Sequence, residues 1–415
     1  MVTPMLAAQA QAEPFVGPSV DWFALSPLLV LLGASLVLLV GSALAPTIWR
    51  RGWYALLTAA AAAAAIVLSV VLWNDVQNDG ARSLVGGAIT LDGFSVFITI
   101  VICSAVLLSA LLADDYLRRE GEDGAELYAL FLLSAAGGII MGAADDLIVL
   151  FLGLETLSIA LYITAAMHRR RIESKEAAMK YFVLGGFSSA FFLYGVALLY
   201  GATGTTRIAG IVEAFNTSVP SDAPLLLAGL ALLLVGLGFK VAAVPFHSWA
   251  PDVYQGSPTP VAGFMASAAK AAGFAALLRV FVVGMGALET DWRPVVWAIA
   301  IVTLVVGSVI ALVQTDVKRM LAYSSINHAG FVLVGVEAAS DRGTAASLTY
   351  LMIYAFMVIG SFGVVTLVAR TGDAATDLDS FRGLSRAKPL LALVFTIFLL
   401  AQAGVPLTGG FVAKF

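Results

Sequence analysis

Twelve apolar runs of membrane-spanning character, joined by short connections, run through this chain from end to end. Lipid offers no partner to a backbone N–H or C=O, so a stretch of roughly 20 apolar residues can cross a hydrocarbon core about 30 Å thick only as a helix. The expected fold is therefore an all-α polytopic membrane protein of about 12 transmembrane helices. They fall near 26–45, 53–73, 94–112, 126–142, 146–166, 178–201, 223–250, 259–284, 293–314, 320–338, 344–369 and 389–415. Composition agrees, since 60% of residues are hydrophobic, 12% are charged and the mean hydropathy is +0.95, which no ordinary soluble domain shows. The connections leave no room for an extramembranous catalytic domain, which takes about 50 residues.

The net charge of −4 says less than the placement of the basic residues. With the N-terminus outside, the inner loops hold fourteen Lys and Arg, among them Arg118, Arg119, Arg169 to Arg171, Lys318, Arg319 and Arg382; the outer loops hold only Arg82, Arg207, Arg293 and Arg342. That bias places the N-terminus outside and the 370–388 loop inside. The AQAQAE stretch at 8–13 resembles a signal-peptidase site, but no basic and apolar regions precede it, so a short tail before the first helix is expected. A single cysteine, Cys103, excludes an internal disulfide or a cysteine-held cluster and is expected to serve helix packing. Seven consecutive alanines, Ala59 to Ala65, fit close helix approach.

Two spans are interrupted. In the seventh, Gly236 and Gly238 precede Lys240, and Pro245 cannot donate to the carbonyl of Val241. In the twelfth, Gly404, Pro406, Gly409 and Gly410 precede Lys414. Breaks at membrane depth occur where backbone is buried in protein or lines a wet cavity. The broken helices lie five spans apart and so cross in opposite directions, which predicts two inverted five-helix repeats. The expected organisation is an N-terminal three-helix segment over 1–125, a first repeat over 126–284 and a second over 293–415. The second repeat would need a thirteenth helix, so the natural protein is expected to continue past Phe415.

Four ionisable side chains lie within these apolar stretches: Glu155, Lys240, Lys270 and Lys414. Together they oppose insertion by about 10–14 kcal/mol, a cost normally tolerated only for ion or proton movement. Glu155 and Lys270 lie roughly 14–17 Å along their spans, near the midplane, and the breaks can bring Lys240 and Lys414 to a similar depth. Lysine suits such work because desolvation disfavours its charged form and a nearby carboxylate restores it. Changing its proton affinity by about three decades is worth roughly 4 kcal/mol, against about 2.3 kcal/mol for moving one charge through 100 mV. A static ion pair between Glu155 and Lys240 is the structural alternative, and it leaves Lys270 and Lys414 unexplained. Among the histidines, His168 reads as a solvated loop residue. His247 and His328 could each relay protons or bond freed carbonyls.

The segments GLETLSIALYITAA, GFKVAAVPFHSWAPDVYQGSPTPV, KRMLAYSSINHAG and AGVPLTGGFVAKF carry a resemblance covering residues from about 146 to the end. In them the chain resembles the subunit N family of antiporter-like membrane proteins of respiratory complex I, the proton-pumping NADH-quinone oxidoreductase. The resemblance implies that Glu155 modulates Lys240, that Lys270 connects and that Lys414 ends the path. It also implies that flavin, iron–sulfur clusters and quinone chemistry belong to partner subunits, with no cofactor in this chain. The expected setting is a bacterial inner membrane, beside other membrane subunits of the complex including antiporter-like neighbours, in contact with lipid and with no nucleic acid. A subunit of a multisubunit cation/proton antiporter would carry the same buried charges, and a non-pumping structural subunit would tolerate loss of Lys240.

Overall fold

The computed structural model describes residues 20–44, 51–122, 124–168, 170–217 and 223–415. The AQAQAE stretch, Arg50 and Arg169 lie outside the described residues. Helices α1 (Ser26–Leu44), α2 (Arg51–Asp79) and α3 (Gly93–Glu120) form the N-terminal segment, and a two-stranded antiparallel ribbon, β1 (Arg82–Leu84) with β2 (Ile89–Leu91), interrupts the all-helical pattern between α2 and α3. Asp92 follows the ribbon and caps α3, accepting from Ser95 N at 2.8 Å. Arg279 holds the same carboxylate through two hydrogen bonds of 2.6 and 2.7 Å, tying the ribbon to the bundle.

The stretch expected as the first repeat holds α4 (Ala125–Ala143), α5 (Leu147–Ala165), α6 (Ile172–Thr203), the short α7 (Ile208–Thr217), α8 (Ala223–Lys240), α9 (Trp249–Gly256), α10 (Thr259–Phe264) and α11 (Lys270–Leu277). Helices α10 and α11 run as one continuous span, Thr259–Gly284, with π turns at Met265–Ala269 and Leu278–Gly284. The second repeat brings α12 (Glu289–Ala311), α13 (Val317–Glu337), α14 (Asp341–Val368), the single turn α15 (Leu384–Ala387), α16 (Pro389–Ala403) and α17 (Gly409–Lys414). Packing repeats as well: α4 lies on α5 as α12 lies on α13, and α6 lies on α8 and α9 as α14 lies on α16 and α17.

Among the described residues, nine helices are long and apolar enough to cross a membrane, against the twelve spans read from sequence. The difference has physical causes. The seventh and twelfth spans are broken, leaving the shorter apolar pieces Pro224–Lys240 and Pro389–Ala403, and α13 carries the polar KRMLAYSSINHAG segment. Every residue from Gly256 to Phe281 is buried, so the helix bearing Lys270 is the axis of the bundle. Its run of Ala and Gly lets neighbouring helices approach closely from all sides. By contrast, Phe182, Phe187 and Tyr194 of α6 and Trp297, Val305 and Val309 of α12 are exposed, as expected of faces that meet lipid.

Both breaks end their first helix in the same way. Ala243 N bonds Gly238 O at 2.8 Å and Ala242 N bonds Phe239 O at 3.0 Å; Val405 N bonds Leu400 O at 3.1 Å and Gly404 N bonds Ala401 O at 2.9 Å. These are Schellman caps, which place one residue in the left-handed region. Gly404 adopts φ 81° without penalty, whereas Ala242 holds φ 58° against its Cβ. Helix α8 therefore stops before Pro245 acts on it. The indole of Trp249 donates a second hydrogen bond to the Phe239 carbonyl at 3.0 Å, and Thr303 Oγ1 accepts from Val244 N at 3.0 Å.

Candidate functional site

On α5, Glu155 and Ser158 are three residues apart and so share a face. Ser189 of α6 donates to Glu155 Oε1, while Lys240, at the last turn of α8, donates from Nζ to Ser158 Oγ at 2.7 Å. Lys240 is 5% exposed and its Nζ lies 5.9 Å from the centre of the Tyr181 ring. Among the described residues no carboxylate lies within ion-pair reach of Lys240; a serine stands beside each member of the pair instead. The static ion pair weighed above is thus replaced by two hydroxyl contacts.

The stem of Lys240 lies against α11. A Cβ added at Gly273 would sit 3.2 Å from Lys240 Cγ, and Lys270 is one turn away on the same helix. Lys270, 3% exposed, donates from Nζ to both the backbone oxygen and Oγ of Ser325, each at 2.5 Å. Ser325, His328 and Phe331 follow at intervals of three along one face of α13. His328 is buried, and its Nδ1 is 2.6 Å from Tyr350 Oη. Lys414 Nζ stands 4.5 Å over the Phe331 ring and donates to Ala403 O at 3.2 Å. Gly410 allows this approach: a Cβ there would fall 1.7 Å from Ala401 O.

Contacts thus bring Glu155 and Lys240 to neighbouring positions on α5, and Lys270 and Lys414 to residues three either side of His328 on α13. His247 takes part in none of these contacts. The histidine is half-buried beside the first break, and its Nδ1 has no hydrogen-bond partner among the described residues. Ser158, Ser189, Gly273 and Ser325 were not singled out from sequence. Ser158 and Ser325 left a legible signal, the spacing of three from Glu155 within GLETLSIALY and to His328 within SSINHAGF.

A second buried cluster corrects two readings of the loops. Lys318 reads as an inner-loop cation, yet its side chain is 0% exposed; Nζ donates to Ser257 O at 2.6 Å and lies 3.2 Å from Asp373 Oδ2. His168 is not solvated: only 14% of its side chain is exposed, and Nε2 lies 3.4 Å from Glu120 Oε2. Arg119 and Arg171 approach Asp373 at 4.0 and 3.9 Å. The cluster joins the connection after α14 to α3, to the start of α6 and to the first residues of the Lys270 helix.

Residues 144–415 match the family described as NADH:quinone oxidoreductase/Mrp antiporter, TM. An NADH-quinone oxidoreductase subunit N from Parafrankia sp. (strain EAN1pec) is 45% identical over 435 residues, covering 98% of this chain and 81% of its own length. Another, from Mycobacterium tuberculosis (strain CDC 1551 / Oshkosh), is 43% identical over 441 residues, covering 96% of this chain and 82% of its own. A chain in the structure of respiratory complex I from Thermus thermophilus with bound aureothin superposes with a TM-score of 0.75 at 34% identity, covering 94% of this chain and 81% of that one. The chain therefore belongs to the NADH:quinone oxidoreductase/Mrp antiporter transmembrane family, on its subunit N branch.

Proposed function

We propose that this chain is a proton-translocating membrane subunit of NADH-quinone oxidoreductase, and that its protons move along the row Glu155, Lys240, Lys270, His328 and Lys414. The observation that carries the row is the kind of partner each lysine has. Ser158, Ser325 and the Ala403 carbonyl hold the three ammonium groups with no counter-charge in contact among the described residues, so each can exist with or without its proton. Glu155, one turn from Ser158, supplies a carboxylate whose small displacement changes the charge balance at Lys240 without breaking a salt bridge. His247, beside the first break, is assigned to the approach to Lys240. The redox chemistry, with its flavin and iron–sulfur clusters, is assigned to partner subunits, and this chain is assigned no cofactor.

Lys414, the last group of the row, supplies the test. Methionine has similar reach but cannot exchange a proton, whereas glutamate can. Lys414→Met is expected to lower the proton-to-electron ratio more than Lys414→Glu, with assembly preserved in both. Reconstituted complex in sealed vesicles would show this as a smaller pH gradient at equal NADH oxidation. Pumping by the methionine variant at the parent ratio would remove Lys414 from the path.

The setting we infer is a bacterial inner membrane with the N-terminus outside, beside antiporter-like neighbours in the membrane arm of the complex. The division of basic residues, thirteen to four once the buried Lys318 is set aside, supports that orientation. Single cysteines replacing Arg170 and Arg382, in a background lacking Cys103, are expected to react with an impermeant thiol reagent from the cytoplasmic side only, and one replacing Asp79 from the outside only. The opposite labelling would overturn the orientation.

A further inference from the structure

The two repeats keep one register. Gly137, Asp146, Leu157 and Thr206 correspond at a constant offset to Gly307, Asp316, Asn327 and Thr376, and each pair does the same structural work. A Cβ at Gly137 would lie 2.5 Å from Leu157 N, and one at Gly307 would lie 2.6 Å from Asn327 N. Asp146 caps α5 and accepts from Thr206 Oγ1 at 2.7 Å; Asp316 caps α13 and accepts from Thr376 Oγ1 at 2.6 Å. The flanking backbone bonds match too, Leu147 N to Thr206 O at 2.9 Å against Val317 N to Thr376 O at 2.8 Å. Four coincidences spread over three connected segments leave no freedom to slide α13 against α5 by a residue.

The same offset carries Glu155 to Ser325 and Ser158 to His328. Where the first repeat has its carboxylate, the second has a hydroxyl, and that hydroxyl, with its own backbone oxygen, holds the lysine of the first repeat. We propose that Ser325 is a positioning residue for proton transfer between the repeats, fixing the Lys270 ammonium one helical turn from His328. A neutral partner is what this place requires. A carboxylate at 325 would pair with Lys270 and favour its charged form throughout the cycle, whereas a hydroxyl fixes direction and leaves the charge free to change. The proposal rests on the row described above.

The test is made on whole complex reconstituted in sealed vesicles, reading the initial rate of pH-gradient formation per NADH oxidised. Lys270→Met provides the reference loss. Ser325→Ala is expected to give a large part of that loss, and Ser325→Thr, which keeps the hydroxyl, to recover the parent rate. If the alanine variant fails to assemble, Ser325→Cys, nearly isosteric with a weaker hydrogen-bonding group, takes its place with the same expected loss. Parent-like pumping by the alanine or cysteine variant, or a threonine variant as impaired as alanine, would overturn the role of Ser325. Normal pumping by Lys270→Met would instead overturn the row itself, so the two failures are distinguishable.

Discussion

Replacing Asp373 by asparagine is expected to destabilise the chain by about 3–5 kcal/mol and to reduce the amount of assembled complex, because it strips the buried Lys318 ammonium of its counter-charge. Both side chains are 0% exposed and lie 3.2 Å apart. Asp373 Oδ2 also accepts from Thr259 N at 3.2 Å, so the carboxylate anchors the start of the helix that carries Lys270. Burial pushes this carboxyl up, but Lys318, the hydrogen bonds it receives and Arg171 together hold it below the usual carboxylate value. A depressed carboxyl contributes stability that is complete above its unfolded value, about 3.9, and is lost only as pH falls through the lower folded value. The gap between parent and Asp373→Asn should therefore be the same at about pH 7 and about pH 5. Asparagine isolates the charge, since Asp373 sits at φ 52° and asparagine tolerates that conformation. Thermal unfolding of detergent-purified complex at the two pH values measures the gap. A variant as stable as the parent would show that the cluster is held by packing alone.

Replacing Lys240 by alanine is expected to slow proton movement through this chain at least tenfold, a barrier increase of about 1.4 kcal/mol or more, while NADH oxidation and assembly persist. Lys240 reaches from Gly273 on α11 to the Ser158 hydroxyl on α5. Lys240→Arg should not restore pumping, because guanidinium keeps its proton under all relevant conditions. Glu155→Gln removes the carboxylate that favours the charged lysine and should alter the pH dependence of pumping rather than abolish it. Light-scattering-free measurements of vesicle acidification at matched NADH oxidation would decide between these outcomes; acidification by the alanine variant at the parent rate would reduce Lys240 to a structural part.

The membrane fold was legible because lipid imposes a rule that acts locally: each span must satisfy its own backbone, so apolar length alone marks it. Glu155, Lys240, Lys270 and Lys414 were legible for the same reason, as charges inside such lengths. The breaks were legible from Gly and Pro, but not their geometry. Helix α8 stops through a left-handed Ala242, a residue type that gives no warning of that conformation. The count of loop cations misread Lys318, because a helix start in a loop and a helix start covered by Ser257 and the Asp373 connection have the same local sequence.

The sequence by itself determined that this chain is helical, crosses a membrane and carries titratable groups within its apolar segments, since each of these follows from the transfer of single residues or single segments out of water. Tertiary structure alone decided which groups meet. Ser158 reaches Lys240 across 82 residues and Ser325 reaches Lys270 across 55. Serines are common in such helices, and only the close packing of α4 on α5, of α11 on α8 and of α12 on α13, permitted by Gly137, Gly273 and Gly307, selects these two. Those contacts depend on separations of a few ångströms between helices, a quantity that no local composition encodes.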